Sequence, residues 1–274
     1  MTEILKNEQA WLPTKILQHG GSFRVNPFGL GPASYYVTLE AFRALNSTRR
    51  FLHGHLVDLG CGNVPYFEWY RDMVERVTCI DWPGSPHSSK HINLFADLNA
   101  SVPLESSSAD CVLATSVLEH IREPDRLFAE IHRILRTDGC AILSVPFLYH
   151  VHEEPHDYFR YTRQGLEYLS RETGFVIVSL ESFGNAPGVL ADTGSKALYL
   201  LVQSLRRAPV GIVFSPLKRV TAAVLRVFQY VMFAVFGIGW IRRVMAKTGL
   251  SDAFPLGYVM VIKKVENTIR GIDS

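Results

Sequence analysis

The chain has 274 residues, enough to bury one full core with length left over for an elaboration. A formal net charge of +2 argues against a general polyanion binder, while 47% hydrophobic residues and a mean hydropathy of +0.10 are slightly high for a purely soluble enzyme. Cys61, Cys79, Cys111 and Cys140 include no Cys-x-x-Cys pair and read as buried free thiols; with no apolar run at the N-terminus, the expected location is a reducing, cytoplasmic one.

Residues 1–33 read as irregular, broken by Pro13, Gly20-Gly21, Pro27, Gly29, Gly31 and Pro32. Ser34 looks like an N-cap for a helix through about Leu45, with Tyr35, Leu39, Phe42 and Leu45 at helical spacing. That helix either packs on the sheet edge or forms a lid, with Tyr35 or Tyr36 touching a ligand. Residues 56–59 then read as a short buried strand with Asp58 inside it, and Gly60-Cys61-Gly62 as the tight turn leaving it. Residues 66–75 suit a crossover helix, and residues 77–80 a second strand closed by Asp81. An acid about 20 residues past a glycine turn takes ribose hydroxyls in nucleotide-type α/β sites. Pro65 falls where a dinucleotide fingerprint would place its third glycine.

Residues 91–96 read as a third strand ending in Asp97-Leu98, a carboxylate beside an apolar side chain that suits an adenine. Residues 109–115 are a fourth strand, ending in Thr115-Ser116. Pro124 opens a helix with Leu127, Phe128, Ile131, Ile134 and Leu135 on one stripe, expected to stop at Gly139 before a fifth strand over residues 141–145. The alternation predicts an α/β fold with a doubly wound, mostly parallel sheet, whose ligands bind at the carboxyl ends of the strands.

Asp-Leu-Gly-Cys-Gly at 58–62 resembles the first motif of class I S-adenosylmethionine-dependent methyltransferases. The resemblance runs nearly throughout residues 51–147, including Val102-Pro103-Leu104-Glu105 before strand four and Val117-Leu118-Glu119-His120-Ile121 after it. It implies a Rossmann-like seven-stranded sheet and S-adenosyl-L-methionine as cofactor. By it, Asp58, Gly60, Cys61 and Gly62 would hold the amino-acid portion, Asp81 and Trp82 the ribose end, and Asp97 with Leu98 the adenine, with Thr115 and Ser116 completing the set. Val64 stands where many relatives carry a further glycine. The rival, a nicotinamide dehydrogenase, would need a Tyr-x-x-x-Lys pair that the chain lacks.

The stretch after strand five packs three histidines, three acids, three tyrosines and one arginine into the fourteen residues 149–162. Three readings compete. His150, His152 and His156 could ligate a metal, although methyl transfer to a hydroxyl does not demand one and none is expected. His150 or His152 could be a general base, with Asp157 orienting it. Alternatively His156, Asp157, Tyr158 and Arg160 form a polar brace, Asp157 pairing with Arg160 and Thr162 capping a helix that buries Leu166 and Leu169 and stops at Gly174. The phrase Glu-Pro-His-Asp-Tyr-Phe-Arg-Tyr-Thr-x-x-Gly-Leu resembles a signature of methyltransferases that accompany surface-polysaccharide and glycolipid synthesis. The candidate catalytic set is therefore His150, His152, His156 and Asp157.

Strands at 175–180 and 258–262 should pair antiparallel, a relationship the family implies, with a helical insertion over residues 183–257 between them. That insertion carries nine Lys/Arg against two acids, hence +7. Leu198, Leu201, Val202 and Leu205 make one stripe, and Leu217, Val220, Val224, Val227, Phe228, Val231, Val235 and Ile238 another. Residues 227–241 hold no charge but fall short of the roughly 20 residues that span a bilayer. Arg226, Trp240, Arg242 and Arg243 at its ends fit peripheral contact, through 196–247, with an anionic membrane face; a pocket cap or a homodimer interface is the alternative. Nucleic acid is not expected, because the basic residues alternate with aliphatics. The expected domains are an N-terminal arm (1–50), a methyltransferase core (51–182 and 258–267) and the insertion. The expected function is O-methylation of a glycan, a glycolipid or another small or lipid-linked acceptor; the alternative is a non-catalytic cofactor-binding scaffold on membrane enzymes.

Overall fold

The computed structural model describes residues 15–26, 34–85, 91–207 and 250–266, together with Val227, Val231, Val244 and Lys247. Strands β1 (Ile16–His19) and β2 (Ser22–Val25) form an antiparallel hairpin. Then come α1 (Tyr35–Ser47), β3 (His55–Leu59), α2 (Phe67–Tyr70), β4 (Arg76–Asp81), β5 (Leu94–Phe95) and β6 (Ala109–Thr115). A 3-10 turn (Leu118–His120), α3 (Pro124–Ile134), β7 (Leu135–Pro146), α4 (Arg163–Glu172) and β8 (Phe175–Phe183) follow, and α5 (Ala186–Arg207), α6 (Leu250–Ala253) and β9 (Gly257–Lys264) complete the described elements.

Seven strands form one sheet in the order β5-β4-β3-β6-β7-β9-β8. All neighbours are parallel except β9, which runs antiparallel between β7 and β8. Strands this apolar must be covered on both faces. One face buries Leu56, Cys79, Leu113 and Ile142 under Tyr36, Phe42 and Leu45 of α1, with Trp69 and Tyr70. The other buries Val57, Ile80, Val112 and Leu143 under Leu127, Phe128, Ile131 and Ile134 of α3 and Leu166 of α4. The sheet is therefore doubly wound, as the alternation of elements predicts. All four cysteines are free and buried.

Several local expectations need correction. Gly20 and Gly21 both take positive φ and close the β1–β2 hairpin, so the expected irregular arm contains a two-residue glycine turn of the kind that suits strand twist. The crossover helix shrinks to the four residues of α2, whose Phe67, Trp69 and Tyr70 are all buried. The third strand is two residues long, and at this sheet edge Phe95 is 61% exposed. Helix α3 ends at Ile134 rather than Gly139, because Leu135 already pairs with Ala109 of β6. Ser34 occupies the N-cap of α1 without making a side-chain cap bond, whereas Thr162 accepts from the Gly165 amide (3.1 Å) as expected.

The lid reading of α1 fails at Tyr36, which is fully buried against the start of α5, where a Cβ on Gly188 would meet its hydroxyl at 1.9 Å. Of the insertion, α5 and α6 are described; Leu217, Val220, Val224, Phe228, Val235 and Ile238, and Arg226, Trp240, Arg242 and Arg243, lie outside the described residues. Leu201 of the first stripe is exposed, and no described helix is long and apolar enough to cross a membrane. Lys196 is withdrawn from any surface role. Its ammonium is buried in a 2.5 Å pair with Asp192 and lies 3.7 Å over the Tyr149 ring.

Candidate active site

The carboxyl ends of β3, β4, β5 and β6 open onto one cavity of about 590 Å³. Its near wall is the turn Gly60-Cys61-Gly62, followed by Asn63 and Pro65. Gly60 has φ +63, and a Cβ there would lie 2.4 Å from Val117 Cγ2, so only glycine lets turn and strand-six loop approach this closely. Val64, where a glycine would fit at no steric cost, holds φ 51 as a fully buried β-branched residue; its packing offsets an unfavourable backbone.

Asp81 ends β4 and Trp82 follows it, both in the cavity wall. Asp81 is buried, and its Oδ2 has no hydrogen-bond partner among the described residues. Asp97 and Leu98 follow β5; Asp97 accepts from the Asn99 amide and side chain (2.9 Å each), and that main-chain bond leads in holding its pKa down against partial burial. Thr115 and Ser116 close β6, and the Ser116 amide is tied to the Ser144 carbonyl (2.8 Å). Asp58 differs: it lies under the turn rather than in the wall, bonded to the Tyr70 hydroxyl (3.3 Å). Burial pushes its pKa up to about 8, against the Tyr70 bond and helped by nearby Asp81.

The far wall comes from the loop after β7, which contributes Glu153, Glu154, Pro155 and His156. Of the four expected catalytic residues, only His156 reaches the cavity. Its ring lies edge-on to Trp82 at 5.2 Å, and its Nδ1 is 3.1 Å from the Tyr158 hydroxyl. Asp157 is braced instead: Arg160 grips it through two bonds of 2.6 and 2.7 Å, and the His152 amide adds a third at 2.9 Å. Burial raises its pKa, but these partners prevail and hold the carboxyl at about 2. Arg160 also donates to the carbonyls of Tyr149, His150 and Phe159, so one guanidinium sets the path of the loop. His150 and His152 are turned out of the cavity wall by that path. Partial burial, then Lys196 and His152, press the His150 imidazole down to about 4.

The loop is stitched to the 3-10 turn after β6: the Tyr158 amide donates to Glu119 O (2.8 Å) and the Tyr161 hydroxyl to Leu118 O (3.0 Å). This brings His120 into the wall, a site residue missed in the sequence although its place just past a strand end marked it. Lys15, beside β1, also lines the cavity; desolvation lowers its pKa while Glu153 pulls it up. Nothing local in the sequence points to Lys15, because only the hairpin's fold brings it there.

Residues 57–143, the stretch from β3 to β7 that builds these strand ends, match the methyltransferase-domain family. They form a methyltransferase domain. No curated protein matches the chain's sequence. Among solved structures the methyltransferase is similar to the [4+2]-cyclase SpnF, at 17% identity over 84% of this chain and 82% of that one, with a TM-score of 0.51. It is also similar to a SAM-dependent methyltransferase from Archaeoglobus fulgidus, at 14% identity over 82% and 92% of the two chains, with a TM-score of 0.50. Likeness at this distance speaks for the fold alone, and a cyclase shares it. The chain thus carries a methyltransferase domain, and S-adenosylmethionine is the cofactor that the resemblance at 58–62 implies. The cavity fits that cofactor: Asp81 offers a buried acceptor with no partner among the described residues, and the Gly60-Cys61-Gly62 turn lines the wall.

Proposed function

We propose that this methyltransferase methylates a hydroxyl oxygen of a glycan, a glycolipid precursor or another amphiphilic acceptor. The observation that carries the reading is one cavity bounded on one side by strand-end acids and the glycine turn, and on the other by His156. Asp81 would accept from the ribose hydroxyls and Asp97 from the adenine amine, with Leu98 packed on the ring and Gly60–Gly62 along the amino-acid end. Trp82, Thr115 and Ser116 complete that wall, and Asp58 acts from beneath the turn. Bound S-adenosylmethionine supplies an activated methyl group on a sulfonium sulfur. The protein's part is then to hold the acceptor oxygen in line, exclude water and receive one proton. His156 is the residue for that proton, replacing His150 and His152, which the Asp157–Arg160 brace turns away. The glycan class rests on the resemblance of the segment around His156 to methyltransferases of surface-polysaccharide synthesis.

The test uses methyl-labelled cofactor, purified enzyme and a cell extract divided into organic and aqueous phases. Label in the organic phase is expected, reduced about a hundredfold by His156→Ala. Asp81→Asn should weaken cofactor binding about tenfold or more, since it removes a charged hydrogen-bond acceptor. Label confined to the aqueous phase would remove the lipid-linked acceptor, and with it the reason for a peripheral location on the inner membrane face. In that case the insertion becomes a pocket cap or a homodimer contact.

A further inference from the structure

Behind the cavity wall, the turn after β6 and the loop after β7 bring three electron-pair donors together. Glu119 is fully buried, and neither carboxylate oxygen has a hydrogen-bond partner on another of the described residues. Its Oε1 lies 3.8 Å from Nε2 of His120 and 3.8 Å from Nε2 of His152. The two imidazoles cross at 72° with their centroids 4.9 Å apart, and one ligand atom from each residue fits within a 4.8 Å cluster.

The tautomers follow from the partners on the opposite ring nitrogens. His120 Nδ1 is 2.7 Å from the His156 carbonyl oxygen. His152 Nδ1 is 3.2 Å from the His150 carbonyl and 3.3 Å from Asp157 Oδ2. These oxygens only accept, so each Nδ1 carries a hydrogen, and in the neutral imidazole each Nε2 presents a lone pair. In that state two lone pairs and a carboxylate face one another, with no donor among the described residues between them. A proton on Glu119 does not resolve this, because at 3.8 Å it reaches neither imidazole. Ligand atoms about 2.0–2.1 Å from a tetrahedral ion are roughly 3.4 Å apart, so closure by about half an ångström at Glu119 and by up to about 1.4 Å between the imidazoles makes a binding site.

We propose that Glu119, His120 and His152 bind a divalent first-row transition-metal ion. Glu153, whose Oε2 is 3.8 Å from His120 Nε2, is positioned to complete the shell. Two imidazoles with carboxylate suit Zn²⁺, Fe²⁺ or Mn²⁺ better than Ca²⁺ or Mg²⁺. The hydrogen bonds on both Nδ1 atoms are the outer-shell orientation that metal-bound histidines use. The set differs from the three histidines suggested by sequence spacing: of His150, His152 and His156, only His152 takes part. Since His120 belongs to the cavity wall, an open coordination position there would meet the acceptor. That role, holding the acceptor oxygen as a Lewis acid, rests on the methyl-transfer reading; ion binding does not.

The experiment strips the full chain with a chelator and titrates it with Zn²⁺ by calorimetry and with Co²⁺ by visible absorption, without cofactor or acceptor. One ion per chain is expected, with affinity at least tenfold lower in Glu119→Gln and His152→Asn. His152, only partly buried, serves as the probe if the Glu119 variant does not fold. Asp81→Asn should lose cofactor affinity and keep the ion, and His152→Asn should do the reverse, so failure of either reading is seen separately. No saturable binding by the wild type, or equal binding by both variants, overturns the site.

Discussion

Asp58 shows how much one buried carboxylate can tie stability to pH. Burial beneath the glycine turn raises its pKa from the ordinary 3.8 to about 8. Between those values the folded chain holds a proton that the unfolded chain has released, so folded stability falls as pH rises from about 4 through about 8. The thermal midpoint of the cofactor-free protein should drop across that window. Asp58→Asn, which mimics the protonated form, should flatten the slope. Glu119, also raised to about 8 by burial, adds a slope of the same sign, so the flattening is partial. An unchanged slope in the Asn variant would assign the effect elsewhere. The acids at strand ends were legible in the sequence because an acid after an apolar run is a local pattern. The geometry of His120, His150 and His152 was not, because Arg160 and the turn at Leu118–His120 set it through contacts distant in sequence.

At the scale of elements, α5 shows the same limit. Its apolar period was readable, but Asp192 and Lys196, one turn apart on it, were counted as surface charge, the usual fate of such residues. Both are buried and paired. Desolvation raises the Asp192 pKa and lowers that of Lys196, while each partner opposes the shift of the other. Lys196→Met leaves a carboxylate buried without its cation and should cost about 3–5 kcal/mol in urea denaturation. Adding Asp192→Leu should recover most of that loss. If the double variant is as unstable as the single one, the pair is a packing element rather than a charge pair. Helix α2 marks another boundary of legibility: the expected crossover stops after four residues, three of them buried aromatics, and a turn follows in which the Met73 amide donates to Tyr70 O (2.9 Å).

For the molecule as a whole, the doubly wound sheet was the most readable feature, since each apolar strand and each amphipathic stripe carries its period in adjacent residues. The membrane reading is less direct. Burying Lys196 and Asp192 as a pair removes one charge of each sign, so eight Lys/Arg against one acid still leave residues 183–257 at +7. If that balance serves a lipid-linked acceptor, the enzyme should sediment with anionic vesicles at low salt, remain free of neutral ones, and be released by added salt. Equal behaviour with both vesicle types would leave the insertion a protein-facing element.

The position of β9 has a consequence for how the chain matures. It enters between β7 and β8, and the tight seat of Gly257, where a Cβ would meet Val145 O at 2.3 Å, fixes its start. Replacing a short hairpin turn by a connection of about 70 residues adds only about 2 kcal/mol of closure entropy, so the finished sheet tolerates the detour. Time is the larger effect. On a ribosome, the strands bearing the cavity emerge first and then wait on the order of ten seconds while the insertion is made. Until β9 arrives, β7 and β8 each present an open backbone edge, and the nascent enzyme has its ligand-facing half before it has a closed sheet.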